Sequence, residues 1–158
     1  PLVCEHLGIW YWHDPDASPT DLRAAVGLLS RNILVQGDDA SAQPGDSYKF
    51  GGHTCAFFGG EMRIENVEFF RTGQAANLGR YSTHWHNLSP GRNVDVLPVG
   101  EKAYNRNNSM HHTFQRAATI HGTDYAVVSH NVAYKTMGHS FFSASLQSVY
   151  GPTRWVCS

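Results

Sequence analysis

"NVEFFRTG" (66–73) begins at an asparagine, places apolar Val67 and Phe69 at odd offsets and the mixed pair Glu68 and Phe70 at even ones, and reaches a glycine seven residues on. A period of two is the signature of a strand with one face turned inward, and Asn and Gly are residues that turns select. Three other stretches share the format: "NILVQG" (32–37), "NSMHHTFQ" (108–115) and "NVAYKTMG" (131–138). Gly138 repeats the position of Gly73, Gln115 stands there in the third unit, and Gly37 comes early in the first. The asparagine-to-asparagine steps are 34, 42 and 23 residues. A short fixed unit with insertions of variable length is the pattern of a parallel β-helix, whose coils keep their strands and extrude loops. The expected fold is therefore all-β, a partial parallel β-helix of about four to five coils with loop insertions. The odd offsets should face inward, and the asparagines should stack at a turn. The competing fold is a mixed β-sandwich in which the asparagines coincide by chance.

Around this repeat, residues 1–20 carry three of the seven prolines and no clean period, which marks a loop-rich lead-in. "DLRAAVGLLSRN" (21–32) has weak helical character and reads equally well as a buried strand ending at Arg31-Asn32. The β-helix is assigned to 21–142 and a divergent tail to 143–158. Composition agrees with a turn-rich β protein: 158 residues, 15 of them glycine, with 41% hydrophobic and only 16% charged. A net charge of −1 gives no electrostatic case for nucleic acid or an anionic membrane surface. No apolar run is long enough to span a bilayer, and nothing resembles a signal peptide. The sequence reads as a piece of a longer protein, whose leader or anchor would lie outside it. Cys4, Cys55 and Cys157 form no metal motif; they allow one disulfide plus a spare thiol, or a partner in a longer chain.

Ten histidines are the unusual feature. In "GRYSTHWHN" (79–87), His84 and His86 share one face of a strand and Trp85 takes the other. Stacked coils lie about 4.8 Å apart, so a histidine in the same column of the next coil can join them. His121, in "ATIHGT", qualifies only in one register. Pairing His86 with His121 keeps Trp85 and Ile120 both inward, and a slip of one residue would invert every side chain. Three imidazoles on one outer face can hold a divalent ion with an open position. Without an ion they offer donors and acceptors to sugar hydroxyls, with Arg80 or Arg116 for a carboxylate. The competing reading makes them ordinary outer-face residues satisfied by water and turns. His111, at an odd offset, is expected in the core with a hydrogen bond; His112 is expected to point out beside Lys135. His139 shares a column with Arg116 and is a second-rank ligand. His6, His13, His53 and His130 are assigned to loops or surface. No close pair of carboxylates is legible near the cluster, so a two-carboxylate glycosidase mechanism cannot be read.

"AAVGLLSRNILVQGD", "RIENVEFFRTGQAANLGRYSTHWHN", "NNSMHHTFQRAATIHGT" and "NVAYKTMGHSFF" together resemble a known β-helix family. It comprises the cell migration-inducing hyaluronan-binding proteins, the transmembrane cell-surface hyaluronidase and the fibrocystin group. The resemblance runs from about Arg23 to Phe142, in four motifs in order. It implies a right-handed parallel β-helix at the cell surface or secreted, binding and in some members depolymerising hyaluronan, an acidic polysaccharide. In the fibrocystin-like members it implies a receptor module without turnover. Membrane anchoring would reside in parts absent from this chain. Position by position, Arg80, His84 and His86 match the family's Gly-Arg-Tyr-Pro-x-His-x-His, His111-His112 its paired histidines, His121 its His-Gly, and Gly138-His139 its Gly-His. Ser82 stands where the proline is usual, and two acidic positions, after the histidines and after Phe142, are lacking. The candidate assignments are thus His84, His86 and His121 as catalytic residues or ligands of a divalent ion (Zn or Ca), with Arg80, Tyr81, Arg116 and His112 binding substrate. Whether the chain cleaves its polysaccharide, serves as a non-catalytic structural or receptor module, or is a non-functional fragment stays open at the level of sequence.

Overall fold

Every third strand of this chain lies on the one before it. In the computed structural model, which describes residues 10–11, 20–21, 26–57, 60–88, 103–144 and 149–150, β1 (Trp10–Tyr11) and β2 (Thr20–Asp21) form an antiparallel pair. Four strands follow on a first sheet, β3 (Ile33–Gln36), β6 (Val67–Phe70), β9 (Ser109–His111) and β12 (Val132–Tyr134). A second sheet stacks β4 (Thr54–Phe57), β7 (Thr83–His86), β10 (Ala118–His121) and β13 (Phe141–Ala144). A third stacks β5 (Met62–Glu65), β8 (Ala103–Arg106), β11 (Val127–Ser129) and β14 (Val149–Tyr150). All pairings in these three sheets are parallel. The chain visits the sheets in strict rotation, so it is a three-sided parallel β-helix with four strands on each side among the described residues. The described part of 21–32 (26–32) contains no helix, and the only helical turn among the described residues is a 3-10 turn at Ala40–Ala42.

Alternation decides what is inside. In β7, Thr83 and Trp85 point in while His84 and His86 point out; in β10 the inward pair is Ala118 and Ile120. Trp85 and Ile120 pack with Ala103, Ala126 and Val128 of the third side, and Phe69, Met110 and Ala133 stack as a second cluster beneath the first sheet. Trp85 also donates its indole N–H to the Met62 carbonyl at 2.9 Å, so its one polar atom is satisfied. The outermost coil shows the reverse. Ile33 and Val35 lie in the inward column, yet Ile33 is 57% exposed, because β3 has a neighbour on one side only.

The asparagine count needs one correction. Glu68 pairs with Ser109, not with Met110, so Asn66 lies over Asn107 and Asn108 lies over Val67. The odd-offset rule therefore holds in β6 but inverts in β9 and β12, where the residues that join the hydrophobic core are Met110 and Ala133. His111 accordingly sits on the outer side of the first sheet, covered by Phe70, rather than in the core, and Val132 and Tyr134 also face out. The slip arises because the corner uses two consecutive residues. The first, at Asn66, Asn107 and His130, adopts a left-handed backbone (φ 58°, 53° and 55°), for which asparagine is suited. The second, at Asn108 and Asn131, turns inward and bridges coils: Asn108 Oδ1 accepts from the Val67 N–H, Asn131 Oδ1 accepts from the Asn108 N–H, and both Nδ2 groups donate to carbonyls of the third side. The asparagines do stack at a turn, in two adjacent columns.

Candidate functional site

The second sheet carries the site because its outer columns are set by the inward demands of Trp85 and Ile120. β7 and β10 pair with Trp85 opposite Ile120 and His86 opposite His121, which puts His84, His86 and His121 on one outer face. One nitrogen from each lies within 4.8 Å of the others. His86 and His121 stack with ring centroids 4.7 Å apart and face each other through Nδ1 atoms at 2.9 Å. Two nitrogens held about 2.0–2.1 Å from one ion lie about 3.0–3.4 Å apart, so this pair is spaced for a shared ligand with a small adjustment.

Each imidazole is oriented by a neighbour. Gly79, at φ +86°, turns its carbonyl toward His84, whose Nδ1 lies 3.1 Å away. A carbonyl only accepts, so Nδ1 carries the hydrogen and the Nε2 lone pair of His84 is free. Burial pulls the His84 imidazole down to a pKa of about 4; the Gly79 bond works against this, and charge on His86, His121 and Arg116 adds to the lowering. His84 is thus neutral and ligand-competent at physiological pH. Asn87, in left-handed conformation, lies 3.2 Å from His86 Nε2 through Nδ2 and backs directly onto Gly122. A side chain at 122 would collide with the Asn87 amide, which explains the glycine after His121.

These histidines floor a cleft of about 590 Å³. Leu78, Gly79 and Arg80, from the β6–β7 connection, form one wall, and Phe57 and Phe142 stand at opposite ends. Arg116 spans the far side. Its guanidinium lies 3.9 Å over the Phe142 ring and 5.0 Å from that of Tyr81, and it donates to the Tyr81 hydroxyl at 3.3 Å. Arg80 is exposed and reaches His53, Nη1 to Nε2 at 3.0 Å; burial and the Arg80 charge hold His53 below its usual pKa, so it accepts this bond. Among the described residues lining the cleft there is no carboxylate. The surface is cationic at its rim, aromatic at its ends and imidazole-lined at its base.

Of the residues singled out from the sequence, His84, His86, His121, Arg80, Tyr81 and Arg116 meet in this cleft. His112 does not: it lies at the left-handed corner after β9, on the first sheet, beside His111 and Lys135. His139 is exposed, packs its ring on Phe142 and is outside the three-histidine group. Ser82, in place of the family's proline, donates its N–H to the Arg116 carbonyl and its hydroxyl meets Thr72, so the substitution adds a ladder bond that proline lacks. Sequence reasoning missed Gly79, Phe57, Thr119, Phe142 and His53. Thr119 and Phe142 could have been found by extending the His84 column through the register, since Cys55, His84, Thr119 and Phe142 stand in line. Cys55 is a free thiol; Cys4 and Cys157 lie outside the described residues.

Residues 49–145 match the family model described as the CEMIP β-helix. The chain belongs to the CEMIP β-helix family. Its relatives include human fibrocystin-L, 34% identical over 90% of this chain and 4% of that protein. The human cell migration-inducing and hyaluronan-binding protein is 34% identical over 78% of this chain and 10% of its own length. The cell surface hyaluronidase of Danio rerio is 34% identical over 77% of this chain and 9% of its own length. This CEMIP β-helix thus spans a tenth or less of each. No solved structure matches it. Among its described residues no helix is long and apolar enough to cross a membrane.

Proposed function

We propose that this CEMIP β-helix is an extracellular module that binds an acidic polysaccharide of the hyaluronan type in the His84–His86–His121 cleft. The observation that carries this reading is the convergence of three imidazoles within 4.8 Å at the base of a cleft rimmed by Arg80 and Arg116. Arg116, held by the buried Tyr81, and Arg80 pair with uronate carboxylates, the exposed Phe57 packs against a sugar face, and the imidazoles take hydroxyl hydrogen bonds or hold a divalent ion. Three nitrogen donors and no carboxylate suit zinc and its neighbours; calcium, which requires oxygen ligands, fits this set poorly. Three protein ligands leave an open position for water or for the ligand's carboxylate. Because Arg116 lies close to the ion's place, an anionic ligand that neutralises both should bind cooperatively with the ion. The relatives named for hyaluronan and for the cell surface support the ligand class and the location.

Cleavage is the lesser part of the proposal. Lacking a carboxylate pair, the cleft would have to use ion-activated water with an imidazole as base. The absence of a carboxylate among the described residues lining the cleft favours a binding module without turnover as the second reading. Elemental analysis of the wild type and a His84→Ala/His86→Ala variant, with both incubated with hyaluronan and sized on a gel, tests the set. Stoichiometric zinc lost in the variant, with shortened polymer, supports binding and cleavage; zinc with intact polymer that is retained on the protein supports binding alone. Folded protein holding neither zinc nor polymer refutes the proposal.

A further inference from the structure

A second group of titratable side chains lies on the first sheet, away from the cleft. Glu68 Oε1 is 3.1 Å from His111 Nε2, and His111 Nδ1 is 2.9 Å from His112 Nδ1. A carboxylate accepts, so His111 carries its hydrogen on Nε2 and presents a lone pair at Nδ1. That lone pair takes the Nδ1 hydrogen of His112, and His112 is left with an unprotonated Nε2 that has no partner among the described residues. The other Glu68 oxygen accepts from the Arg31 N–H at 3.1 Å, which holds the carboxylate in place. Burial, then positive charge on His111 whenever it is protonated and on Lys135, lower the His112 pKa, so its Nε2 lone pair is available at neutral pH.

The surroundings of that lone pair are organised by the coil register. Phe70, His111 and Tyr134 stand in one column on three successive coils, with the His111 ring stacked 4.9 Å from Phe70. Beside them, at the left-handed corner, Arg71, His112 and Lys135 form a second column, and the Lys135 ammonium lies 5.4 Å from the Tyr134 ring centre. Arg71 is already paired with Asp39 at 2.7 Å, which leaves Lys135 as the cation of this column. The acceptor on His112 and the aromatic ring and cation of Tyr134 and Lys135 thus lie on adjacent coils, about 4.8 Å apart, on the scale of one sugar ring.

We propose that the Glu68–His111–His112 chain, with Tyr134 and Lys135, forms a second subsite for an acidic sugar unit. The Nε2 of His112 accepts a sugar hydroxyl, Tyr134 packs against the ring and Lys135 pairs with the carboxylate. The ligand class rests on the reading above, but none of the cleft residues takes part.

The test is long-range 15N–1H NMR of the histidine rings, with titration by a hyaluronan tetrasaccharide and separately by glucuronic acid. The wild type should show His112 as the Nδ1–H tautomer, and His111→Phe, which keeps the ring stacked on Phe70 but ends the relay, should release it. The tetrasaccharide should shift His112 Nε2 and the Tyr134 ring both in wild type and in the His84→Ala/His86→Ala variant. Lys135→Ala, at an exposed position, should weaken this binding about 2- to 10-fold. Equal affinity for glucuronic acid keeps the subsite and narrows its ligand to the free acid. A His112 Nε2–H tautomer in the wild type, unmoved His112 and Tyr134 signals, or shifts that vanish in the cleft variant would overturn it. Absence of cleft binding in the wild type, with these shifts present, would instead refute the cleft proposal alone.

Discussion

At His84 a buried imidazole meets the Gly79 carbonyl with its Nδ1–H, and the fold holds its pKa near 4 against about 6.5 in an unfolded chain. Between those values the unfolded state binds the extra proton, so stability from this group is complete above pH 6.5 and is lost as pH falls toward 4. At pH 4.5 the loss is about 2–3 kcal/mol. Urea midpoints at pH 7 and pH 4.5 for wild type and His84→Asn check it; an equal acid loss in both proteins would remove the assignment. At the neighbouring column the expectation differs. His86→Ala truncates a half-buried outer-face side chain and should cost no more than about 0.5–1 kcal/mol while abolishing ion binding. Trp85→Ala, from a fully buried position, should cost about 3–5 kcal/mol and also orphan the Met62 carbonyl. Comparing the three denaturation curves separates site from core.

Among the elements, the corners hold the registers that make the site. Gly122, at φ +54°, follows His121 and lies against the Asn87 amide, which in turn reaches His86. Gly122→Ala should cost about 1–3 kcal/mol through left-handed strain and collision, and should weaken zinc binding because both flanking histidines are displaced. Calorimetric zinc titration reads the second effect, and unchanged affinity in a folded variant would show that the corner does not position the histidines. At the opposite corner, Asn108→Leu removes the acceptor for the Val67 N–H and the donor to the Ile64 carbonyl. Two orphaned backbone groups at a buried site predict a loss of about 2–5 kcal/mol, seen in the thermal midpoint.

On the scale of the whole molecule, the β-helix behaves as a stack whose coils contact only their neighbours, and a ligand bridging β7 and β10 staples two of them. Zinc at one hundred times its dissociation constant should raise stability by about 2.7 kcal/mol, reversed by a chelator, if it binds only the folded stack. Polysaccharide binding through Arg80 and Arg116 should weaken as salt rises past about 0.15 M, since the rim charges are exposed to screening. A salt-independent affinity would move the recognition from the rim to apolar contacts.

The class of fold was legible from "NVEFFRTG" and its three counterparts, because the period of two and the turn residues are local properties of the backbone. The pairing of His86 with His121 was legible too, since only one register keeps Trp85 and Ile120 both dry. The doublet Asn107-Asn108 misled the count by one, and so misplaced His111, because a corner can spend one residue or two before its strand begins. His112 and the cleft histidines, close in the motif pattern, were separated only by their assignment to different sheets. Local sequence determined the strands and, in β6, β7 and β10, the faces of their side chains, whereas in β9 and β12 the corner decided the face. The tertiary structure decided which columns became neighbours, since that depends on loop lengths and inter-coil hydrogen bonds that bring distant residues to one surface.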